Sequence, residues 1–210
     1  MNYRFLIADD HTVVRRGLKQ ILLEAFPSAH VEDVADAEDL LKKVLKEEWN
    51  VVITDISMPG RSGLEILQQI RQEYPKLPVL ILSVYPEDQY AIRVLKAGAS
   101  GFLNKDSAPE ELVKAIQQLL LGKKYITTYV AEQLANILDQ DAEKPLHESL
   151  SDREFEVMKM LAAGKSVSEI AEQISLSVTT VSTYRARIMT KMNLKNNAEL
   201  TRYTIENKLL

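Results

Sequence analysis

Short apolar runs that alternate with amphipathic stretches fill the first 122 residues, and they restrict the fold more than any other feature of the chain. The five runs are residues 4–8, 29–34, 51–54, 79–82 and 101–103. Several are continuous Val, Ile and Leu, which is typical of strands buried on both faces. Strands that alternate with helices in this way predict a doubly wound, five-stranded parallel sheet.

The pattern changes after residue 122. Residues 125–139 have helical periodicity, and the polar, proline-containing segment 140–145 is typical of a linker. From residue 149 onward only short helical patterns occur. We therefore predict an α/β domain over residues 1–122, a linker helix and flexible linker over 123–148, and a small all-α, four-helix domain over 149–210.

Capping signals predict where several helices begin. In the first domain, Ser107 and Glu110 form a capping box around Pro109 and predict the start of the fifth helix. In the second domain the corresponding pairs are Ser151–Glu154, Ser166–Glu169 and Asn196–Glu199. The turn Ser175-Leu176-Ser177 separates the helix that begins at Ser166 from a fourth helix, residues 178–192. This is the arrangement of a helix-turn-helix.

The charge of the chain is divided unequally between the two predicted domains. Its 210 residues contain 26 basic and 30 acidic side chains, a net charge of −4. Residues 1–148 have a balance of −6, whereas residues 149–210 have a balance of +2. The acidic total therefore hides a locally basic second domain, and basic surfaces favour nucleic acid.

The composition also excludes several classes of protein. The chain contains no Cys, which excludes disulfides, a thiol nucleophile and Cys-ligated metal sites. The apolar run at the N-terminus is too short for a signal peptide, and no apolar stretch approaches the length of a membrane span. We expect a cytoplasmic protein with no membrane partner.

Polar side chains follow four of the five predicted strands. Asp9 and Asp10 follow the first strand, Asp55 the third, Ser83 the fourth and Lys105 the fifth. In an open parallel sheet these ends meet at one edge, where ligands bind. Three carboxylates need compensating positive charge, which Mg²⁺ supplies while accepting oxygen ligands. A carboxylate beside such a metal, with Lys and Ser nearby, can act as a nucleophile toward phosphorus.

Residues 1–122 resemble the receiver domain of two-component response regulators, which has a flavodoxin-like (CheY-like) fold. The matching segments are Ala8-Asp9-Asp10-His11, Thr54-Asp55-Ile56-Ser57-Met58-Pro59-Gly60, Ser83, Gly98-Ala99 and Gly101-Phe102-Leu103-Asn104-Lys105. The resemblance implies that Asp55 is the phosphoacceptor, that Ser83 binds the acyl phosphate and that Lys105 pairs with it. It also implies an Mg²⁺ site made by Asp9, Asp10, Asp55 and the backbone carbonyl of Ser57.

Three further residues or segments acquire an interpretation from this resemblance. Phe102 occupies the position of a switch residue, often Tyr in the family, whose ring rotates inward on phosphorylation, as Ser83 moves toward the phosphate. His11 is interpreted as a loop residue and not as a ligand. Met58-Pro59-Gly60 is expected to form the turn that leaves the acceptor strand.

Other proteins built on a doubly wound sheet remain alternatives. A phosphatase with an Asp nucleophile needs a second carboxylate two residues after it, where this chain has Ser57. A flavin- or nucleotide-binding module needs a phosphate-binding turn after the first strand, where this chain has Asp9-Asp10-His11-Thr12. The two carboxylates of that turn would repel a phosphate.

The predicted helix at residues 178–192 carries the features of a DNA-reading helix. Small and hydroxyl-bearing residues near its start permit close approach to bases, and basic residues can reach phosphates. A basic helix face that only keeps the domain soluble is the alternative reading. Residues 149–210, however, resemble the LuxR-type helix-turn-helix, from Leu150-Ser151-Asp152-Arg153-Glu154 through Glu169-Ile170-Ala171 and Thr180-Val181 to Lys191-Met192.

That second resemblance implies two sets of DNA contacts. The residues expected to face bases are Ser182, Thr183 and Ala186. The residues expected to face phosphates are Tyr184, Arg185, Arg187, Lys191 and Lys195.

The whole chain thus resembles a response regulator of the NarL/FixJ family. The resemblance implies a transcription factor that accepts a phosphoryl group from a sensor histidine kinase and binds double-stranded DNA as a homodimer. Such a regulator can also contact RNA polymerase, and it catalyses only its own Mg²⁺-dependent phosphorylation and dephosphorylation. The alternative is a phosphorylation-independent DNA-binding regulator whose receiver is a protein-interaction module.

Overall fold

The computed structural model describes residues 2–58, 61–139 and 145–210, with side chains of residues 136–139 left out. The chain divides into two compact units, Met1–Gln140 and Asp141–Leu210. The predicted turn at Pro59-Gly60 and most of the predicted linker, residues 140–144, lie outside the described residues.

The first unit is built on a five-stranded parallel sheet with the order β2-β1-β3-β4-β5. Its strands are β1 (Arg4–Ala8), β2 (His30–Val34), β3 (Val51–Asp55), β4 (Val79–Ser83) and β5 (Gly101–Asn104). All residues of β3 and β4 are buried, as their continuous apolar runs predict. The order changes direction between β1 and β3, which creates a crevice at their carboxyl ends.

Helices cover both faces of this sheet. They are α1 (Thr12–Ala25), α2 (Ala37–Lys46), α3 (Gly63–Glu73), α4 (Glu87–Lys96) and α5 (Pro109–Leu120). Helices α1 and α5 pack together over one face, where Leu22 and Ile116 join a core with Phe5, Ile53 and Leu80. Because each strand leads into a helix, its carboxyl end and the following loop lie at the same edge of the sheet.

One more helix, α6 (Thr128–Asp139), belongs to the first unit and packs on α4. The segment that leads into it runs along the outer side of β5. The backbone N–H of Tyr125 donates to the carbonyl of Ser100 at 2.9 Å, and the Tyr125 hydroxyl donates to Glu111 on α5. Thr127 donates to Glu87 on α4 at 2.6 Å. These contacts fix the segment across α4, β5 and α5.

The second unit is helical throughout its described residues. A short 3-10 helix (Leu146–Ser149) precedes α7 (Asp152–Ala162), α8 (Val167–Gln173), α9 (Val178–Lys191) and α10 (Asn197–Glu206). The capping boxes at Ser151–Glu154 and Ser166–Glu169 are confirmed, and Asn196 accepts from the backbone of Glu199. The structure thus confirms the predicted order of a doubly wound sheet followed by a four-helix domain.

The predicted capping box at Ser107–Glu110 is wrong. Helix α5 begins with Pro109 as its first residue and Ala108 as its N-cap, without a side-chain cap. Ser107 lies in the preceding turn, where its backbone N–H donates to Asn104 at 3.0 Å. Proline has no N–H and a fixed φ, so it starts the helix without the cap that serine would supply.

Candidate functional site: an acidic strand edge and a DNA-reading helix

The side chains predicted at the strand ends meet at one edge of the sheet. The ammonium of Lys105 lies 2.7 Å from Asp9 Oδ2 and 2.7 Å from Asp55 Oδ2. The side chains of Asp9, Asp55 and Lys105 are only 1%, 5% and 9% exposed, so this group of two carboxylates and one ammonium is almost completely buried. Lys105 thereby supplies part of the positive charge that neighbouring carboxylates require.

Burial and ion pairing shift the pKa values of Asp55 and Lys105 in opposite directions. Burial raises the pKa of Asp55 above its ordinary value, and the hydrogen bond and attraction from Lys105 offset only part of this rise. Burial alone would lower the pKa of Lys105, but its hydrogen bonds to Asp55 and Asp9 outweigh burial and raise that pKa. Lys105 is therefore a firmly charged group.

The acidic loop after β1 completes the cluster. Asp10 is partly exposed, and its Oδ1 lies 2.7 Å from Nδ1 of His11. Asp9, Asp10, His11 and Asp55 each offer one ligand atom, and these atoms lie within 4.8 Å of one another. The structure thus brings together three predicted carboxylates and a histidine that the sequence suggested is a loop residue. The group is an acidic cluster that could hold a metal ion.

The neighbouring groups also suit a hard cation. The backbone N–H of Ser57 donates to Asp55 Oδ1 at 3.2 Å, which holds the Ser57 peptide beside the carboxylate. The hydroxyl oxygen of Ser57 is buried and has no hydrogen-bond partner among the described residues. Carboxylate oxygens with an unpartnered hydroxyl nearby match the oxygen-rich coordination that Mg²⁺ prefers.

The remaining strand-end residues lie on β4 and β5. Ser83 is buried, and its Oγ accepts from the backbone N–H of Tyr85 at 2.9 Å. The Ser83 carbonyl accepts from the N–H of Lys105 at 2.8 Å, which ties the two strand ends together. Phe102 lies on β5 opposite Ile81, and only 3% of its surface is exposed.

Two residues of this site escape sequence reasoning. At Gly63, the first residue of α3, a Cβ would overlap the carbonyl oxygen of Asp55, so the backbone of Asp55 can approach the helix only at a glycine. The Ser62–Glu65 capping box around it is a local signal that places Gly63 at a helix start. Arg15 on α1 donates to the carbonyl of Asp9 at 2.7 Å, a contact that no local pattern reveals.

Helix α9, the predicted recognition helix, lies on the surface of the second unit. A turn in which Ser175 has a φ of 52° joins α8 to α9, and Ser177 caps α9 by accepting from Thr180. Val181 and Ile188 are buried and anchor one side of α9. The predicted base-facing residues all lie on its exposed side: Ser182, Thr183 and Ala186.

The predicted phosphate-facing residues have different surroundings. Arg187 and Lys195 are exposed, and Tyr184 is half-buried. Arg185 donates to the side chain of Asn197 at 3.0 Å. Lys191 lies 2.6 Å from Oε2 of Glu154, a buried carboxylate on α7. Burial alone would raise the pKa of Glu154, but Lys191 and the backbone of Ser151 lower it overall.

Comparison with known proteins agrees with this architecture. The response regulator receiver domain matches residues 5–117, and the luxR family of bacterial regulatory proteins matches residues 148–204. The response regulator UvrY of Escherichia coli strain K12 is 37% identical over 206 residues, which cover 97% of this chain and 94% of UvrY.

Solved structures of RcsB resemble the whole chain. RcsB of Salmonella enterica serovar Typhimurium, bound to promoter rprA in the presence of the phosphomimetic BeF3⁻, has a TM-score of 0.63 and 28% identity, over 96% of this chain and 98% of that one. A structure of two RcsB dimers bound to two parallel DNAs has a TM-score of 0.60 and 30% identity, over 97% and 98%.

These matches define a response regulator with a receiver domain and a LuxR-type DNA-binding domain. The chain belongs to the NarL/FixJ family of transcriptional response regulators. Among the described residues, no helix combines the length and apolar content that crossing a bilayer requires.

Proposed function

We propose that the chain is a cytoplasmic transcription factor that accepts a phosphoryl group on Asp55 from a sensor histidine kinase. The observation that carries this proposal is the contact of Lys105 with both Asp9 and Asp55, at 2.7 Å each, with all three side chains buried at the strand ends. A carboxylate oxygen of Asp55 forms the new bond to phosphorus, and the bond from phosphorus to the kinase histidine breaks. Residues 1–122 form the receiver in this proposal.

Mg²⁺ is the cofactor that the donor set favours. Asp9, Asp10, Asp55 and the backbone carbonyl of Ser57 would hold it, and it would neutralise charge on the phosphoryl oxygens. Lys105 would bind a phosphoryl oxygen as a point charge. Ser83 would donate its hydroxyl to another oxygen, because its side chain already lies buried at the adjacent strand end. Phe102 would follow Ser83 as the second switch residue.

The output is DNA binding by residues 149–210, which residues 123–148 connect to the receiver. Ser182, Thr183 and Ala186 would contact base edges, and the phosphate contacts would come from Tyr184, Arg185, Arg187, Lys191 and Lys195. One small domain contacts too few base pairs for tight specific binding, so phosphorylation would act by promoting a homodimer. RcsB dimers bound to DNA support this assembly, and RNA polymerase is a further candidate partner.

Phosphorylation with acetyl phosphate and Mg²⁺ tests the receiver proposal. We expect stable, stoichiometric, acid-labile labelling of the full chain and none of Asp55→Asn, while Asp88→Asn, an exposed aspartate of α4, is labelled normally. Many rapid turnovers would instead identify a phosphatase. Absence of labelling would favour the protein-interaction module, and labelled Asp55→Asn would move the acceptor to another residue.

Lys105→Ala tests whether Lys105 couples phosphorylation to the output. We expect this variant to bind Mg²⁺ but to dimerise poorly after labelling, because the phosphoryl group loses its cationic partner. Size-exclusion chromatography before and after labelling measures the coupling. Dimerisation equal to that of the unsubstituted chain would remove Lys105 from the switch.

A further inference from the structure

Arg15 connects α1, the acidic loop and strand β2 through one guanidinium group. Its Nη1 donates to the carbonyl of Asp9 at 2.7 Å, and its Nε donates to Oδ2 of Asp33 on β2 at 3.0 Å. Its Nη2 donates to Thr12 at 3.3 Å. Only 13% of the Arg15 side chain is exposed, so these three contacts hold the guanidinium beneath the loop and largely out of solvent.

Arg15 is one of four residues that contact the polar atoms of Asp9. The Asp9 N–H donates to the carbonyl of Val34 at 3.3 Å, and its Oδ1 accepts from the N–H of His11 at 2.8 Å. Its Oδ2 lies beside Lys105, and its carbonyl oxygen accepts from Arg15. Three polar atoms of Asp9 are therefore hydrogen-bonded, and Oδ2 forms an ion pair with Lys105.

A guanidinium suits this arrangement because three acceptors, on Asp9, Thr12 and Asp33, must be reached in fixed directions. Arginine presents five donors in a planar fork, whereas lysine presents one compact charge on a flexible stem. The ion pair with Asp33 alone would stabilise the fold little, since Asp33 is one-third exposed and solvent screens such pairs. The contact that distinguishes Arg15 is the one to the Asp9 carbonyl.

We propose that Arg15 is a positioning residue of the phosphoacceptor site. By fixing the Asp9 peptide against β2, it holds the Asp9 and Asp10 carboxylates in the geometry that a divalent cation requires. Partners that orient metal ligands from behind are worth about 10- to 100-fold in metal affinity. This inference rests on the proposed function of the acidic edge as an Mg²⁺-dependent phosphoacceptor site.

The test compares Arg15→Gln and Arg15→Lys with Arg16→Gln, the exposed neighbour on α1, in the full chain. Calorimetric titration with Mg²⁺ should give an affinity about 10-fold weaker for both Arg15 variants and unchanged for Arg16→Gln. The Mg²⁺ concentration that half-saturates labelling by acetyl phosphate should rise to match. The labelling rate at saturating Mg²⁺ should stay near that of the unsubstituted chain, because Asp55 and Lys105 are untouched.

Asp33→Asn adds a graded arm. It removes the charged partner of Arg15 but leaves the Asp9 carbonyl contact, so its loss of Mg²⁺ affinity should be smaller than that of Arg15→Gln. Equal Mg²⁺ affinities for Arg15→Gln and Arg16→Gln would overturn the inference. An Mg²⁺ affinity of Arg15→Lys equal to that of the unsubstituted chain would also overturn it. So would a loss of Mg²⁺ affinity that follows a lower Tm and is matched by an equal loss of the labelling rate at saturating Mg²⁺.

The two proposals fail in different ways. If the unsubstituted chain is not labelled at any Mg²⁺ concentration, the phosphoacceptor function fails. The calorimetric comparison of Arg15 and Arg16 variants still decides whether Arg15 positions the acidic loop.

Discussion

The acidic edge of the first unit and the reading helix of the second are assembled in opposite ways. Asp9, Asp55 and Lys105 are far apart in the sequence, and the sheet brings their buried side chains together. The predicted base-facing residues of α9 all come from one helix and stay exposed. The first site therefore depends on tertiary geometry and internal charge balance, whereas the second depends on the placement of a single helix and on solvent-screened charge.

Substitution of Gly63 should have the largest effect, a loss of stability. It tests how strongly the acidic edge depends on tertiary geometry. In Gly63→Ala a Cβ overlaps the carbonyl oxygen of Asp55, and backbone cannot give way as a flexible side chain does. We expect a loss of about 3 kcal/mol in the free energy of unfolding, together with weaker labelling of Asp55. Chemical denaturation measures the loss.

Gly17→Ala is the matched control for that prediction. Gly17 lies within α1, and a Cβ there meets nothing within 4 Å. Alanine in a helix interior is better than glycine by about 0.5–1 kcal/mol, so this variant should be slightly more stable. If both glycine variants changed stability in the same direction, the close approach of Asp55 to α3 would not be the cause.

Substitution of Arg187 tests the exposed, solvent-screened charge of α9, and we expect an effect of intermediate size on DNA affinity. We expect the chain to bind DNA as a dimer, with a slope of log binding constant against log salt concentration of about −7. Arg187→Gln should reduce the magnitude of that slope by about 2. Affinity at moderate salt should fall on the order of 10-fold, about 1.4 kcal/mol, without a change in Tm. Fluorescence anisotropy with an operator duplex at several salt concentrations measures both quantities.

Two other variants sharpen this prediction. Arg202→Gln removes an exposed charge of α10 and should leave the slope unchanged. Lys191→Gln removes the partner of buried Glu154 and should lower Tm, because a buried carboxylate is left uncompensated. A slope near zero for the unsubstituted chain would contradict the proposed interface.

Asp55→Asn should have the smallest effect on stability, and it tests the charge balance among the buried side chains of the acidic edge. Burial raises the pKa of Asp55, so ionising Asp55 costs the folded state free energy that the unfolded state does not lose. This cost is complete above the folded pKa and disappears below the ordinary value of 3.8. Asparagine never ionises, so in Mg²⁺-free buffer the variant should melt a few degrees higher at pH 7, with an advantage that shrinks toward pH 3.

Asp88→Asn again controls for the loss of one negative charge. Thermal melts monitored by circular dichroism at several pH values provide the measurement. A lower Tm for Asp55→Asn at pH 7 would mean that pairing with Lys105 outweighs burial at the acidic edge.

The sequence predicts the features that arise from local patterns and simple topology. Apolar runs define the strands, parallel order brings Asp9, Asp55 and Lys105 to one edge, and the capping boxes at Ser151 and Ser166 mark helix starts. The ends of most strands and of α9 differ by one residue from the prediction. The box at Ser107 fails because Pro109 begins the helix by itself.

The features that sequence reasoning misses depend on partners distant along the chain. The constraint on Gly63 comes from the backbone of β3, and Asp33 on β2 helps to orient the guanidinium of Arg15. The charge of Lys191 predicts a phosphate contact, but only the fold reveals Glu154 beside it. A residue type indicates what chemistry is available, and its neighbours in space decide how that chemistry is used.

The segment around Tyr125 has a practical consequence for anyone who isolates the receiver. Its backbone pairs with the outer side of β5 at Gly101, so the terminal strand of the sheet is not left open there. A fragment that stops at residue 122 would expose those amide and carbonyl groups, and open strand edges recruit other chains into aggregates. A fragment that continues through α6 keeps the edge covered and should stay monodisperse at concentrations where the shorter one precipitates.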